Sequence, residues 1–223
     1  MKTRPAEIEN GSMAIITEEL RARGIALPPE NAAVILRCIH ASADFDYAGN
    51  LRFTSGAVEA GVKALRRGAE IVTDTNMALA GISRPGLIRL GGAAYCFMAE
   101  DFIAETAKRN GTTRAAAAVD YAAANHPDAV LAVGNAPTAL FRIAEKIEAG
   151  LRPRLVIAAP VGFVNVVEAK ERVFAVCESC GVPCIAVRKS PTGSFKRLPI
   201  LRASWTAGAF RMKESGTRAC SRS

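Results

Sequence analysis

The chain has 223 residues, half of them hydrophobic but only 6% aromatic, and carries a formal charge of +8. That length suits one α/β domain, or two small ones, with enough apolar matter for a real core. The charge is not spread evenly: nine basic residues and one acid lie between Arg188 and Ser223, which leaves residues 1–187 with 20 of each sign. A neutral body offers no designed nucleic-acid face, so nucleic acid is not an expected partner.

At the amino terminus, MKTRPAEIENGSMAII has scattered charges and no apolar core of the kind a signal peptide needs. No stretch approaches the ~18 apolar residues of a membrane helix. A cytoplasmic protein with no membrane partner is expected, its six cysteines reduced. Pro28-Pro29-Glu30-Asn31 followed by AAVILRCIHASADF then reads as a helix start, with proline and an acid in the opening turn. On that helix Arg37 and His40 are three residues apart and share a face. TSGAVEAGVKALRRG predicts a second helix, capped by Thr54 or Ser55 and closed by Gly68.

A rhythm follows. EIVT (Glu70–Thr73) runs into Asp74-Thr75-Asn76-Met77, and AVLAV (Ala129–Val133) into Gly134-Asn135-Ala136-Pro137-Thr138 and a helix. LVIA (Leu155–Ala158) runs into Ala159-Pro160-Val161-Gly162-Phe163, then a helix near VVEAKERVFAVCESCG, and Val182–Val187 is one more strand. Short apolar strands alternating with helices predict βαβ units, hence a three-layer α/β/α fold on a mostly parallel, Rossmann-like sheet. The Gly- and Pro-rich loops all follow strands and so collect at the carboxyl edge, where open α/β sheets bind ligands. The domain is taken as residues 1–187. From 188 to 223 the rhythm fails and a basic tail of no clear period follows.

Among the residues able to do chemistry, His40 is the most informative, because an imidazole with an ordinary pKa near about 6.5 exchanges protons at neutral pH. Read alone, it is equally a helix-terminal histidine satisfied by a carbonyl. His126, in AANHPD, reads as a surface turn residue. GNAPTAL is either a plain strand-to-helix turn or an anion cradle. Gly134 and Asn135 permit unusual backbone angles, Pro137 suits a first helical turn and Thr138 carries a hydroxyl. No GxxxxGK[ST] or GxGxxG is present, which argues against a nucleotide-binding protein. Asp74, Thr75 and Met77 lie at the same edge, Asp74 as a catalytic acid or as a buried cap. Arg114, opening an alanine-rich helix behind Thr112 or Thr113, opposes the helix dipole and so hints at an acidic partner. Lys170 serves such a partner too, or is a solvated helix lysine. Cys177, Cys180 and Cys184 lack a nearby histidine and read as small buried hydrophobes.

Taken together, GSMAII (Gly11–Ile16), LRCIHASADFDY (Leu36–Tyr47), TDTNMALAGI (Thr73–Ile82), TTRAAAA (Thr112–Ala118), GNAPTAL and PVGFVNVVEAK (Pro160–Lys170) resemble the precorrin-8X and cobalt-precorrin-8 methylmutases over roughly residues 8–187. The resemblance implies an isomerase of cobalamin biosynthesis that moves a methyl group from C-11 to C-12 of a corrin-like macrocycle, giving hydrogenobyrinic or cobyrinic acid. It implies that His40 is the proton donor and acceptor, that Ser12 and Arg37 contact substrate, and that the protein is a homodimer with active sites at the interface. Arg37, Arg114, Lys170 and the N–H groups after Gly134 and Gly162 are expected to meet the tetrapyrrole's carboxylates, with Asp74, Thr75, Met77, Asn135, Pro137, Thr138 and Phe163 lining the site. No cofactor is needed for an intramolecular shift, and any cobalt belongs to the substrate. ADFDY, TDTNMALAGI and AAVDYA resemble the cobalt-dependent members more, which favours cobalt-precorrin-8. An alternative is a corrinoid-binding protein that holds or delivers the product without turnover.

One departure stands out. The family's last strand runs into a glycine-rich GRxGGS segment and an alanine-rich helix, whereas here RKSPTGSFKRLP and the basic tail follow Val187. The abrupt change of composition fits a shift of reading frame, which an intact GGS-plus-helix in another frame of the gene would establish.

Overall fold

The structure, a computed structural model, describes residues 4–188, so the expectations for the tail lie outside the described residues. Its six-stranded sheet has the order β1-β6-β5-β4-β2-β3. β2 (Ile71–Thr73), β3 (Ala94–Cys96), β4 (Val130–Val133), β5 (Leu155–Ala158) and β6 (Cys184–Val187) run parallel. β1 (Leu51–Phe53) closes one side antiparallel to β6, with Leu51 opposite Val187. The three-layer α/β/α reading therefore holds. Of the strands, the antiparallel edge strand and β3 were not foreseen: three residues are too few to show a period, and β2, equally short, was legible only through the loop motif that follows it.

Strand period sorts the core. Val130, Ala132, Leu155, Ile157, Ile185 and Val187 face one layer, where they meet α1 (Pro5–Ala22), α2 (Pro29–Ser42) and α4 (Ala57–Arg66). Leu131, Val133, Val156, Ala158, Cys184 and Ala186 face the other, formed by α8 (Arg114–Asn125), α9 (Pro137–Glu148) and α10 (Val166–Ser179). All residues of β4, β5 and β6 are buried, as expected of strands covered on both faces. Cys177 and Cys184 are fully buried within the second layer. Five shorter segments are inserted: α3 (Tyr47–Asn50), α5 (Asn76–Gly81), α6 (Arg84–Arg89) and α7 (Asp101–Arg109), with β3 between the last two.

Several local expectations change in the structure. Neither Thr54 nor Ser55 caps α4; Gly56, at φ 67°, takes that place, and the buried Thr54 hydroxyl instead accepts the Cys184 N–H at 2.8 Å. Thr54 is thus spent on holding β6. Gly68 does close the α4 turn, at φ 78°, where a Cβ would come within 3.0 Å of the Gly91 carbonyl. His126 is not a surface turn residue: its Nδ1 lies 2.7 Å from a Glu70 carboxylate oxygen and its ring packs against Tyr95, Phe97 and Tyr121. A proline and an acid after it made the segment look exposed, but aromatic partners from β3 and α8 cover it.

The chain leaves β2 outward to β3, then crosses back to β4 and continues outward through β5 and β6. The winding reverses between β2 and β4, the point in an open α/β sheet beyond whose carboxyl ends ligands generally bind.

Candidate active site

The residues singled out from the sequence lie in three stretches, the second and third of them in loops at the carboxyl edge. The first is formed by α1 and α2. Proline at the first helical position and Glu30 in the first turn start α2, and Ala43 ends it in the left-handed region at φ 55°, its N–H donating to the Ile39 carbonyl. His40 sits in the last turn of that helix and is exposed. Just beyond it α3 ends at Asn50, whose carbonyl accepts the Arg188 N–H at 2.7 Å. This bond holds the end of α3 against the carboxyl end of β6, and the helix bearing His40 ends only a few residues earlier. Arg37, one turn before His40, is mostly covered and forms an ion pair with Glu9 of α1. Glu9 thereby fixes α1 against α2 and brings Ser12, one turn further along α1, to the same pair of helices. The Ser12 hydroxyl donates to the Ile8 carbonyl at 3.0 Å. Glu9 was missed in the sequence because a surface glutamate 28 residues from its partner leaves no local pattern.

The second stretch is the switch point itself. Asp74, the residue after β2, is 6% exposed and its carboxylate reaches across to the loop after β4. Gly134 N–H donates to one carboxylate oxygen at 2.8 Å, and Asn135 N–H and Ala136 N–H donate to the other at 2.8 and 2.7 Å. Of the two readings open for Asp74, the buried one describes this geometry. It also changes the reading of GNAPTAL: its three converging amides do hold an anion, and that anion is the protein's own. Neither Gly134 nor Asn135 needs a positive φ to do so. Burial holds the Asp74 carboxyl above its ordinary range, only partly countered by the three amides.

Around this latch, Thr75 caps α5, its hydroxyl accepting the Ala78 N–H at 3.1 Å, and Met77 in the following turn is 53% exposed. Pro137 occupies the first position of α9, as its missing N–H favours. Thr113 caps α8 by accepting the Ala116 N–H at 3.1 Å, and its hydroxyl also donates to the Thr138 hydroxyl at 3.1 Å. The starts of α8 and α9 are therefore tied side by side, with Arg114, Asn135 and Thr138 exposed around them.

The third stretch runs from β5 into α10. A Cβ at Gly162 would lie 3.0 Å from the Val166 side chain, so a larger residue there would require that side chain to shift. Phe163 is 101% exposed and Val164 76% exposed, which is unusual for side chains of that size. Lys170, in the second turn of α10, is the opposite case: 1% exposed, with its ammonium buried and lacking any hydrogen-bond partner among the described residues. Burial lowers its pKa, only partly countered by Glu171. Lys170 is thus not the solvated helix lysine that its sequence context also allowed.

Chemically, the three stretches supply an exposed imidazole, an arginine held by an acid, two exposed helix starts and an exposed aromatic ring. Together these groups suit a large, flat, polyanionic ligand. Among the described residues no cluster of histidine, cysteine and carboxylates is grouped to hold a metal ion.

Comparison with known proteins gives the chain's relatives. The precorrin-8X methylmutase family model matches residues 7–195. The cobalt-precorrin-8 methylmutase of Leptospira interrogans is 35% identical over 88% of this chain and 90% of its own length. That of Salmonella typhimurium is 40% identical over 75% and 80%, and the precorrin-8X methylmutase of Pseudomonas aeruginosa 38% identical over 82% and 86%. The crystal structure of the Thermus thermophilus precorrin-8X methylmutase superposes with a TM-score of 0.79 at 38% identity, covering 92% of this chain and 97% of that one.

Proposed function

This chain belongs to the precorrin-8X methylmutase family, and from that premise we propose that His40 is the proton donor and acceptor of the family reaction. The reaction is an isomerisation in cobalamin biosynthesis: a methyl group moves from C-11 to C-12 of the corrin-like ring. The bond from C-11 to the methyl carbon breaks as the bond to C-12 forms, within the conjugated system, so no electrons enter or leave. A proton placed on the ring polarises that system and lowers the barrier, and the same group takes it back; positioned general acids contribute about 10²–10⁴-fold. Holding the flat ring in one orientation supplies the remainder. We propose that Arg37 and Arg114 meet ring carboxylates, with Ser12, Met77, Asn135, Thr138 and Phe163 as further contacts.

The observation that carries this reading is the placement of an exposed His40 one turn beyond Arg37, itself aimed by Glu9, where the chain approaches the carboxyl end of β6. The shift being intramolecular, no resident cofactor is proposed, and cobalt is written as part of the substrate. The cobalt-bearing ring is proposed as the preferred form, on the motifs ADFDY and TDTNMALAGI. A homodimer is proposed with it, supported by the uncovered Phe163, Val164 and Val167. Cytoplasmic residence is proposed as well; no helix of the described residues is long and apolar enough to cross a membrane.

The test is turnover of precorrin-8X and cobalt-precorrin-8 by wild-type protein and His40→Ala, with absorption titrations of hydrogenobyrinic and cobyrinic acid. Loss of turnover with retained product binding is expected of the variant. An active His40→Ala would remove His40 from the mechanism. A wild-type protein that binds product but turns nothing over would be the carrier instead.

A further inference from the structure

We propose that Asp74 is a positioning residue of the methyl shift: an internal carboxylate that fills the anion nest of the loop 134–138 and, through it, sets the exposed wall on which the substrate's carboxylates rest. The inference builds on the family reading and assigns Asp74 a role that sequence matching does not distinguish from direct substrate contact.

The geometry argues for it in three steps. First, Asp74 is out of the substrate's reach, because it is buried and both of its oxygens are occupied by amides 2.7–2.8 Å away. Second, those amides belong to consecutive residues of a loop that otherwise crosses the open switch point. Three N–H groups converging within one turn repel one another unless an anion sits among them. The carboxylate from β2 therefore fixes the turn leading into Pro137 and α9, and clamps β2 to β4 just where their winding diverges. Third, the clamp propagates: Thr138, one residue into α9, accepts from the Thr113 hydroxyl that caps α8, and Arg114 follows directly. One buried carboxylate thus registers Asn135, Thr138 and Arg114 relative to each other. An ion-shaped nest filled by the chain itself also prevents the loop from capturing a free anion, leaving the outward-facing groups for the ring's acetates and propionates.

The experiment uses the full chain with Asp74→Ala, Asp74→Asn and Asp74→Glu. Asp74→Ala empties the nest and is expected to raise KM about 10-fold or more while kcat changes much less and its pH profile keeps its shape. Added formate, a carboxylate small enough to enter the vacated space, is expected to restore KM in part and to raise the Tm of Asp74→Ala above the rise seen with equal chloride. The Tm readout needs no substrate, so it judges the nest even if the chain turned over no corrinoid; wild-type turnover separately judges the family reading. Asp74→Asn keeps one acceptor and decides the matter if Asp74→Ala does not fold: an intermediate KM with unchanged pH limbs is expected. Asp74→Glu is expected to recover less than formate, since its longer arm misplaces the oxygens. A wild-type KM in Asp74→Ala or Asp74→Asn, or no formate effect on Tm, would overturn the proposal. So would a collapse of kcat with loss of a pH limb, which would make Asp74 an acid–base group.

Discussion

The two halves of the carboxyl edge are built in opposite ways. Beyond β2 and β4, polar groups are closed on one another: Asp74 takes three amides, Thr75 and Thr113 cap helices, and Thr138 is tied to Thr113. Beyond β5, the same edge leaves Phe163 and Val164 exposed and buries the Lys170 ammonium without a hydrogen-bond partner among the described residues. The first half is organised before any ligand arrives, so binding to it costs little further ordering. The second carries the mark of a surface completed from outside, because large apolar side chains in water gain free energy when something covers them. On the proposed reading, a flat, acidic substrate would use both: fixed polar contacts to set orientation, and an apolar face against the ring.

Substitutions can break or sharpen this contrast. The largest effect on stability is expected from Asp74→Ala, which leaves three amides without an acceptor. At roughly 1 kcal/mol or more for each donor so abandoned, a loss of about 3 kcal/mol is expected in denaturant unfolding. A loss below about 1 kcal/mol would mean that the latch is loose in solution.

Lys170→Met tests the other half with the opposite sign. Removing a buried cation that has no hydrogen-bond partner among the described residues is expected to stabilise the protein by about 1–2 kcal/mol. The lowered pKa of Lys170 means that the unfolded chain binds a proton which the folded one releases. Wild-type stability should therefore rise with pH from that lowered value up to the ordinary lysine range, and the variant should lose this slope. Urea melts of both proteins across alkaline pH check it. A destabilised variant would show that the ammonium has a partner in solution.

Glu9→Gln is expected to cost only about 0.5 kcal/mol, since Glu9 is partly exposed, and the cost should shrink in high salt. Thermal melts at low and high ionic strength measure this. The smallest change in stability is expected of Phe163→Ser, within about 0.5 kcal/mol, because a fully exposed ring makes few contacts to lose. Cobyrinic acid affinity or dimerisation should nevertheless fall about 10-fold, measured by absorption titration and sedimentation. Unchanged values for both would leave the exposed loop without a function and undo the contrast.

Much of the fold was legible because it rests on local patterns. The runs VLAV, LVIA and CIAV could only be buried parallel strands once helices were seen between them, and Pro29 and Pro137 marked helix starts through their missing N–H groups. The site was legible only in part. The loops after β2, β4 and β5 are placed by the chain's own order, since a parallel sheet sends every such loop to one edge, whereas His40 and Arg37 lie on a helix that precedes the unforeseen antiparallel β1. What each polar group does there was not legible. The same sequence allowed Asp74 as acid or cap, Lys170 as solvated or buried, and His126 as a turn residue, and a lone short strand such as AYC carries no readable period.

The sequence by itself thus determined the layers, the edge at which chemistry is gathered and the family to which the chain belongs, because helix and strand periods and loop motifs are local and repeat. Tertiary structure alone decided the pairings: Asp74 with amides 60 to 62 residues away, Glu9 with Arg37, and His126 with Glu70. Such pairs join residues distant in the chain, and each partner's chemistry fits several roles until folding brings one particular donor within about 3 Å of one particular acceptor.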